Sequence, residues 1–178
     1  MATGLPRMRG RSEHSLDEKG RVIIPQKFRE TLGSEFMLNT GPGPCLRVYP
    51  MAVFEKIEDE LVSSSVFDEA NADKQLLQRL FYNGEAAGLD PQFRLTLPKA
   101  LRYWAGFGKQ ENETVIIIGM GDKLELWSHG AWEAISGQFT TARTTEASNR
   151  LRSGIGAASP SGDAVPGHAP DEKKSEDR

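Results

Sequence analysis

Two pairs of oppositely charged residues occur at one spacing, an aspartate followed four positions later by an arginine. Asp17 precedes Arg21, and Asp90 precedes Arg94. A guanidinium can donate two parallel hydrogen bonds to guanine O6 and N7, or it can bind a phosphate, and a nearby carboxylate can orient it. A surface salt bridge in a structural turn is the simpler alternative for a single pair. Because the pair occurs twice in the same sequence frame, we favour contact with a ligand.

The two pairs belong to a longer stretch that the chain repeats, 17–29 and 90–102. In both copies the Asp, the Arg, a Pro and a final Arg keep the same offsets, and apolar residues match between them. The pattern predicts a turn at the Asp, a short strand and then a helix. Each helix is expected to have its proline, Pro25 or Pro98, at its first position. Its C-terminal cap would be a glycine, Gly33 or Gly106.

Side-chain alternation in the short strands separates the arginines from the core. Apolar residues two positions apart share the core face, which predicts that Arg21 and Arg94 point away from it, beside Ile23 and Thr96. The copies differ in the turn, where Phe93 replaces the glycine of the first copy. Because Phe93 would crowd the second turn, we expect a larger contribution from Arg21 than from Arg94.

The similarity continues beyond the helices, so that one unit consists of a strand, a short helix, a β-hairpin and a second helix. The predicted organisation is a flexible extension (1–7), a first repeat (8–60), a helical connector (61–83), a second repeat (84–137) and a tail (138–178). The tail is rich in Ser, Thr, Gly, Ala, Pro and charged residues. Because it has little apolar content with which to offset its ordering entropy, we expect it to be disordered.

The connector is predicted to contain parts of two helices. Apolar residues at helical spacing predict an amphipathic helix over 51–62 with an acidic outer face. Asp68 or Asn71 is the predicted N-terminal cap of the following helix. The acidic face either contacts a neighbouring subunit or remains solvated, and the sequence leaves both alternatives open.

Charge is distributed unevenly along the 178 residues, whose formal net charge is −3. Residues 1–30 contain seven Lys and Arg against four Asp and Glu, whereas residues 51–90 contain three against nine. The basic first segment permits an anionic partner, although the overall acidity argues weakly against nucleic acid. Arg9 and Arg11, which precede the first aspartate, and Lys19 within the first turn are candidate phosphate contacts or solvated side chains.

Other kinds of site lack a suitable pattern. One cysteine and three scattered histidines give no metal-ligand spacing, and no nucleophile lies in a recognised catalytic motif, so we expect no metal, no cofactor and no enzymatic activity. The glycine-rich segments 41–44 and 119–122 run from strand to strand, which predicts hairpin turns. The three tryptophans are predicted to lie in the core. Without an apolar run of membrane-spanning length or a leader, a cytoplasmic protein is expected.

The repeated segments resemble the MraZ family of bacterial transcriptional regulators. The resemblance covers about residues 8–140 and is carried by both Asp-x-x-x-Arg frames and by segments such as 48–50, 101–106 and 124–128. It implies an α+β fold, mainly β with short helices. The fold would consist of two tandem AbrB-like swapped-hairpin units that form one pseudo-twofold, intertwined, barrel-like domain.

The resemblance also implies a function and partners. The protein would be a ring-shaped, octamer-like homo-oligomer that binds short tandem repeats in double-stranded DNA, associated with the nucleoid. It would repress its own promoter, which serves a cluster of division and cell-wall genes. The DNA-binding residues would be Asp17, Lys19, Arg21, Asp90 and Arg94. The alternative is an AbrB-like protein–protein or antitoxin-type module that does not recognise DNA bases.

Overall fold

The computed structural model describes residues 7–63, 71–108 and 113–152. This part of the chain contains eight strands and six helices. The strands are β1 (Met8–Ser15), β2 (Arg21–Ile23), β3 (Phe36–Thr40), β4 (Cys45–Pro50), β5 (Glu85–Ala87), β6 (Arg94–Thr96), β7 (Thr114–Gly121) and β8 (Leu124–Ser128). The helices are α1 (Gln26–Leu32), α2 (Met51–Ser63), α3 (Ala72–Phe81), α4 (Lys99–Trp104), α5 (His129–Ser136) and α6 (Thr141–Arg152).

Six of these strands form one antiparallel sheet in the order β1-β7-β8-β4-β3-β5, and β2 pairs with β6 in a separate two-stranded ribbon. The fold is therefore α+β with mainly strands and short helices, as expected. The barrel-like closure is not found among the described residues. The edge strands β1 and β5 each pair on one side only, and the sheet consequently remains open.

Strand pairing joins the first and second halves of the chain at four places. β1 of the first half pairs with β7 of the second, and β5 of the second half pairs with β3 of the first. β4 pairs with β8 at the middle of the sheet, and β2 pairs with β6 in the ribbon. Within a half, the described residues pair only as the hairpins β3–β4 and β7–β8. Both the sheet and the ribbon are therefore built from strands of both halves.

The main apolar core lies between the ribbon, its two following helices and one face of the six-stranded sheet. Its fully buried members include Val22, Ile24 and Phe28 from the first half and Leu95 and Leu97 from the second. Each large apolar side chain buried in this way contributes about 1.5–3 kcal/mol. The core thereby fixes which face of the ribbon points outward.

The opposite face of the sheet carries a smaller apolar cluster. Cys45, Ile116 and Trp127 are buried there, and Trp132 and Ile135 of α5 pack against them. The ring of Trp127 meets that of Trp132 edge-on at 6.1 Å between centroids. Two of the three tryptophans thus lie in or against the core. Trp104 does not, because it is 44% exposed and donates from Nε1 to the carbonyl oxygen of Gly43 at 3.1 Å.

The ends of the two repeated helices differ slightly from the sequence expectation. Pro25 and Pro98 are extended residues that immediately precede the helices, one position earlier than predicted. Gly33 is the C-terminal cap of α1 with a φ of 76°. Gly106 follows the cap of α4 with a φ of 72°, and its N–H donates to the carbonyl oxygen of Tyr103. The predicted cap is thus confirmed for Gly33, whereas in α4 the cap is Ala105 and Gly106 follows it with a positive φ.

The connector and the tail also contain helices. Asn71 caps α3 by accepting hydrogen bonds from the N–H groups of Asp73 and Lys74, as one of the two alternatives predicted. Asp68, the other candidate, lies outside the described residues. The tail contains the twelve-residue helix α6 where disorder was expected, and its segment 153–178 lies outside the described residues. The expectation is therefore wrong for 141–152, where Ala, Arg and Glu residues favour a helix, and it stays a prediction for 153–178.

Candidate nucleic-acid interface

The β2–β6 ribbon presents one face to the core and the other to solvent. Its register pairs Arg21 with Thr96, Val22 with Leu95 and Ile23 with Arg94. Directly opposed residues of an antiparallel pair lie on the same face, and alternate residues lie on opposite faces. Val22 and Leu95 are fully buried, so the other four side chains form the outer surface, here called the ribbon face. This confirms the predicted direction of both arginines.

The first turn is closed by a network around the Asp17 carboxylate. One carboxylate oxygen, Oδ1, accepts from the backbone N–H groups of Lys19 at 3.0 Å and Arg21 at 2.9 Å. The other, Oδ2, lies 2.8 Å from Nε and 2.7 Å from Nη2 of Arg21. The N–H of Gly20 donates to the carbonyl oxygen of Asp17 at 2.8 Å, which closes the β-turn. The carboxylate therefore fixes both the turn and the guanidinium that follows it.

The second turn has the same geometry, although a glycine is missing. Asp90 Oδ1 accepts from the N–H groups of Gln92 and Arg94, each at 2.9 Å, and Oδ2 accepts from Arg94 Nε at 2.8 Å. Phe93 adopts a φ of 59°, close to the 74° of Gly20. Phe93 therefore leaves the turn geometry unchanged, because it accepts the left-handed conformation and its ring is 48% exposed.

Strand pairing places the two turns side by side. Arg94 Nη1 lies 4.0 Å from Asp17 Oδ2, so the aspartate of the first turn also faces the arginine of the second. The side chains of both arginines and both aspartates are only partly exposed, between 23% and 35%. Each guanidinium carries five N–H donors, and the aspartates engage only some of them. The remaining donors are available to a ligand that approaches the ribbon face.

Electrostatics keeps both carboxylates ionised. The hydrogen bond from the Arg21 side chain lowers the pKa of Asp17 below its ordinary value of 3.8. The backbone N–H of Arg94, followed by its side chain, lowers the pKa of Asp90 from the same value. Both effects outweigh the desolvation that would raise each pKa. The ribbon face consequently combines fixed positive donors with carboxylates that orient them over the physiological pH range.

The structure gathers some of the sequence-predicted site residues and separates others. Lys19 is exposed within the first turn. Arg9 and Arg11 lie instead on β1, at the edge of the six-stranded sheet. Arg11 forms an ion pair with Glu13 at 2.5 Å, and its guanidinium lies 5.2 Å from the ring centroid of Trp132, on the sheet face covered by α5. Their suggested phosphate contacts therefore stay a prediction, and they would have to be made from the sheet edge and not from the turns.

Two residues missing from the predicted site belong to the ribbon face by position. Ile23 is 45% exposed, and Thr96 opposite Arg21 is also exposed. The strand alternation placed them there, but neither carries a charge that would have marked it as a site residue. A second omission concerns Arg29 and Arg102, the final arginines of the repeated stretch. Both occur four residues after the proline of their repeat, and this repetition could have marked them as functional from the sequence.

The described residues give little indication of a metal site, a nucleophilic cysteine or a membrane-spanning helix. No group of three or more His, Cys, Asp and Glu side chains there could hold a metal ion. Burial raises the pKa of the Cys45 thiol to about 11, which disfavours a nucleophilic thiolate. The glycine-rich segment 41–44 connects β3 to β4 as a hairpin turn, as predicted. The segment 119–122 lies mostly within β7, and the hairpin to β8 turns at Asp122 and Lys123. No helix within the described residues is long and apolar enough to cross a membrane.

Comparisons with known proteins agree in pointing to one family. A family model described as "MraZ protein, putative antitoxin-like" matches residues 8–78 and 80–153. A protein of Acetivibrio thermocellus named "Transcriptional regulator MraZ" is 37% identical over 147 residues, which are 82% of this chain and 98% of the relative. A protein of the same name from Syntrophomonas wolfei is 41% identical over 124 residues, covering 69% of this chain and 82% of the relative.

Proposed function

Because this chain belongs to the MraZ family, we propose that it is a sequence-specific DNA-binding transcriptional regulator that contacts DNA with the ribbon face. The names of its relatives support a regulator and not an enzyme. The observation that carries the proposal is the presence of two identically built arginine turns on one exposed face. A structural turn would need neither the duplicated guanidinium nor its fixed orientation.

The shape and charge of the ribbon face suit the major groove of DNA. The groove is about 12 Å wide and admits a two-stranded β-ribbon. Arg21 and Arg94, each oriented by its aspartate, would donate bidentate hydrogen bonds to guanines, and Lys19 would contact phosphate. Holding each guanidinium in place before binding reduces the entropy lost on binding. Asp17 and Asp90 would therefore act through the arginines.

The repeat architecture supports the AbrB-like assignment. The first strand of each half pairs with the third strand of the other, and the equivalent strands β2 and β6 pair with each other. We infer that the halves are tandem swapped-hairpin units related by a pseudo-twofold axis. That axis would pass through the ribbon and place the two arginine turns in equivalent positions. One chain would then supply the paired contacts that an AbrB-type dimer obtains from two.

The remaining parts of the proposal concern assembly and biology. Two arginines make a small footprint for tight binding, so we infer that several protomers act together as a ring-shaped, octamer-like homo-oligomer on tandem DNA elements. The targets would be repeats in the protein's own promoter, from which it would repress a cluster of division and cell-wall genes. Binding to chromosomal DNA would place the protein in the cytoplasm, on the nucleoid.

A protein–protein or antitoxin-type module is the second candidate. It is favoured by the acidic outer surface of α2, where Glu55, Asp59 and Glu60 are exposed, and by the antitoxin-like description of the family. The two candidates differ in salt dependence. Binding to DNA phosphates releases counterions, so the affinity falls steeply as the salt concentration rises. The slope of log affinity against log salt is proportional to the number of phosphate contacts. A module without DNA contacts would bind its promoter DNA weakly and without sequence preference.

The test is titration of folded Arg21→Ala, Arg94→Ala and double variants against promoter and scrambled DNA. Each single change should weaken specific binding by about 1–3 kcal/mol and relax the preference at one base. Because the turns have the same geometry, we expect similar losses for both. Stability should fall by less than about 1 kcal/mol, as for other partly exposed ion pairs. Arg79→Ala, an exposed change on α3, is the matched control.

Preservation of the wild-type preference in the double variant would contradict the proposal, since the DNA-contacting surface would then lie elsewhere. The salt slope gives a second criterion. Removal of a base-contacting arginine should mainly reduce the preference for promoter over scrambled DNA. Lys19→Ala should instead mainly reduce the slope of log affinity against log salt concentration.

A further inference from the structure

The final arginine of the repeated stretch has no role in the proposed contact with DNA, yet both copies contain it. Arg29 lies four residues after Pro25 in α1, and Arg102 lies four residues after Pro98 in α4. Neither contacts the turn of its own repeat in the manner of the aspartates. Each reaches across the ribbon to the turn of the other repeat, and the two contacts are different in kind.

Arg29 packs against the second turn. Its guanidinium carbon lies 4.0 Å from the centroid of the Phe93 ring, within the range of a cation–π contact. Its Nε donates to the carbonyl oxygen of Ile24 at 2.8 Å, and the N–H of Ile24 donates to the carbonyl oxygen of Phe93 at 3.0 Å. Arg29 therefore connects the end of β2 to the residue just before Arg94. It covers the one non-glycine residue with a positive φ among those described.

Arg102 packs against the first turn in a tighter manner. A Cβ atom built on Gly20 would lie 2.7 Å from Cζ and 2.9 Å from Nε of Arg102, so the guanidinium occupies the space that a side chain at residue 20 would need. The carbonyl oxygen of Gly20 accepts from the N–H of Leu97 at 2.8 Å, which joins this turn to the strand end before α4. Nε of Arg102 is buried without a hydrogen-bond partner in the described structure.

We propose that Arg29 and Arg102 are positioning residues, each of which holds the DNA-contacting turn of the opposite repeat. Arg102 would hold the turn that carries Arg21, and Arg29 the turn that carries Arg94. The residue in the left-handed conformation directly precedes the DNA-contacting arginine in each turn, so a guanidinium packed on it restricts the backbone from which that arginine projects. This inference rests on the proposed function and adds a crossed dependence between the repeats.

The crossed arrangement makes a specific prediction for double variants. Arg102→Ala should reduce the preference for promoter over scrambled DNA by about tenfold, within the range of coupling between residues in contact. In an Arg21→Ala background the same change should cause almost no further loss, because Arg102 acts through the turn that has lost its arginine. In an Arg94→Ala background its effect should be complete. Arg29→Ala should show the reverse pattern.

The control and the conservative variants separate this role from general stability. Arg79→Ala should leave the preference unchanged in all three backgrounds. Arg102→Gln and Arg29→Gln keep much of the length of the packed side chain. If the alanine variants do not fold, these glutamine variants are combined with Arg21→Ala and Arg94→Ala in their place. Melting temperatures identify the folded variants before the titrations. If Arg29 and Arg102 had a merely structural role, their replacement would lower the melting temperature, and its effect on the preference for promoter DNA would be the same whichever turn kept its arginine.

Two outcomes overturn the inference while the proposed function stands. In one, Arg102→Ala and Arg29→Ala leave the preference for promoter DNA at the wild-type ratio. In the other, their losses are equal in the Arg21→Ala and Arg94→Ala backgrounds, as expected for independent phosphate contacts. Failure of the proposed function itself is recognised separately, because the wild-type protein would then show no preference for its promoter DNA.

Discussion

Asp17 illustrates how one residue determines both the conformation and the electrostatics of the ribbon face. Its carboxylate accepts backbone hydrogen bonds within the turn, pairs with Arg21 and lies 4.0 Å from Arg94 of the other repeat. An asparagine could accept the same backbone hydrogen bonds but would lack the charge. Comparing the wild type with the Asp17→Asn variant therefore measures what the charged second oxygen, which accepts from Arg21, adds to the backbone hydrogen bonds.

We expect Asp17→Asn to lower the melting temperature at pH 7, with a deficit that disappears in acid. The folded state lowers the pKa of Asp17 below 3.8, so the ionised form is favoured by folding. The resulting stability is fully present above the ordinary carboxyl pKa and is lost as the pH falls through the lowered folded-state pKa. Melting curves of both proteins from pH 7 to pH 3 provide the measurement.

Glu18→Gln is the control for this pH experiment. It removes a carboxylate from the same turn, where Glu18 is exposed and takes no part in the hydrogen bonds that Asp17 accepts. Its melting temperature should follow that of the wild type. If the deficit of Asp17→Asn stays constant over the whole pH range, the charge of Asp17 is not what stabilises the turn.

At the scale of elements, the middle of the six-stranded sheet depends on a cross-strand ion pair between the two halves of the chain. Arg47 on β4 donates to Glu125 Oε1 on β8 from Nε at 3.1 Å and Nη2 at 3.0 Å. The other carboxylate oxygen accepts from Trp127 Nε1 at 3.2 Å. The Glu125 side chain is only 10% exposed. Removing the Glu125 carboxylate would leave Arg47 and Trp127 without the acceptor to which both donate.

We expect Glu125→Ala to reduce the free energy of unfolding by about 1–3 kcal/mol, the usual cost of leaving buried polar groups unsatisfied. Denaturant unfolding measures this loss. Glu60→Ala is the matched control, because the pair of Lys56 and Glu60 is 3.9 Å long with side chains 75% and 68% exposed. That change should remain within about 0.5 kcal/mol. Equal losses in the two variants would show that burial of the Arg47–Glu125 pair is unimportant.

The elements also show what sequence reasoning could and could not predict. Repetition and alternation located the ribbon, both aspartate turns and the outward arginines, because those features depend on local spacing. β1 was not predicted, since its segment Met8–Ser15 is mostly polar and becomes a strand by pairing with the buried β7. The geometry of the second turn could not be predicted either, because Phe93 is in contact with Arg29, a residue 64 positions earlier. Such long-range contacts leave no local pattern.

At the scale of the whole molecule, one chain offers few contacts for the proposed function. The described residues place two arginine turns on a single ribbon face. Each good bidentate contact provides about 1–3 kcal/mol of discrimination between bases. The specific affinities typical of DNA-binding proteins exceed non-specific affinities by about 4–10 kcal/mol. Two contacts provide about 2–6 kcal/mol, which overlaps only the lower part of this range, and several linked protomers would cover the rest.

We therefore expect binding to depend on tandem elements and on the assembled state. An assembly that engages two elements at once converts the second contact into an intramolecular step, so DNA with two elements should bind about 100-fold or more tightly than DNA with one. Shifting one element by about half a helical turn, roughly 5 base pairs, should abolish most of this gain because both ribbon faces could no longer enter the groove together. Titrations at one protomer concentration, with sedimentation to establish the assembled state, provide the measurement. A monomer that binds one element as tightly as two would contradict the proposed assembly and leave the ribbon face as the whole DNA-contacting surface.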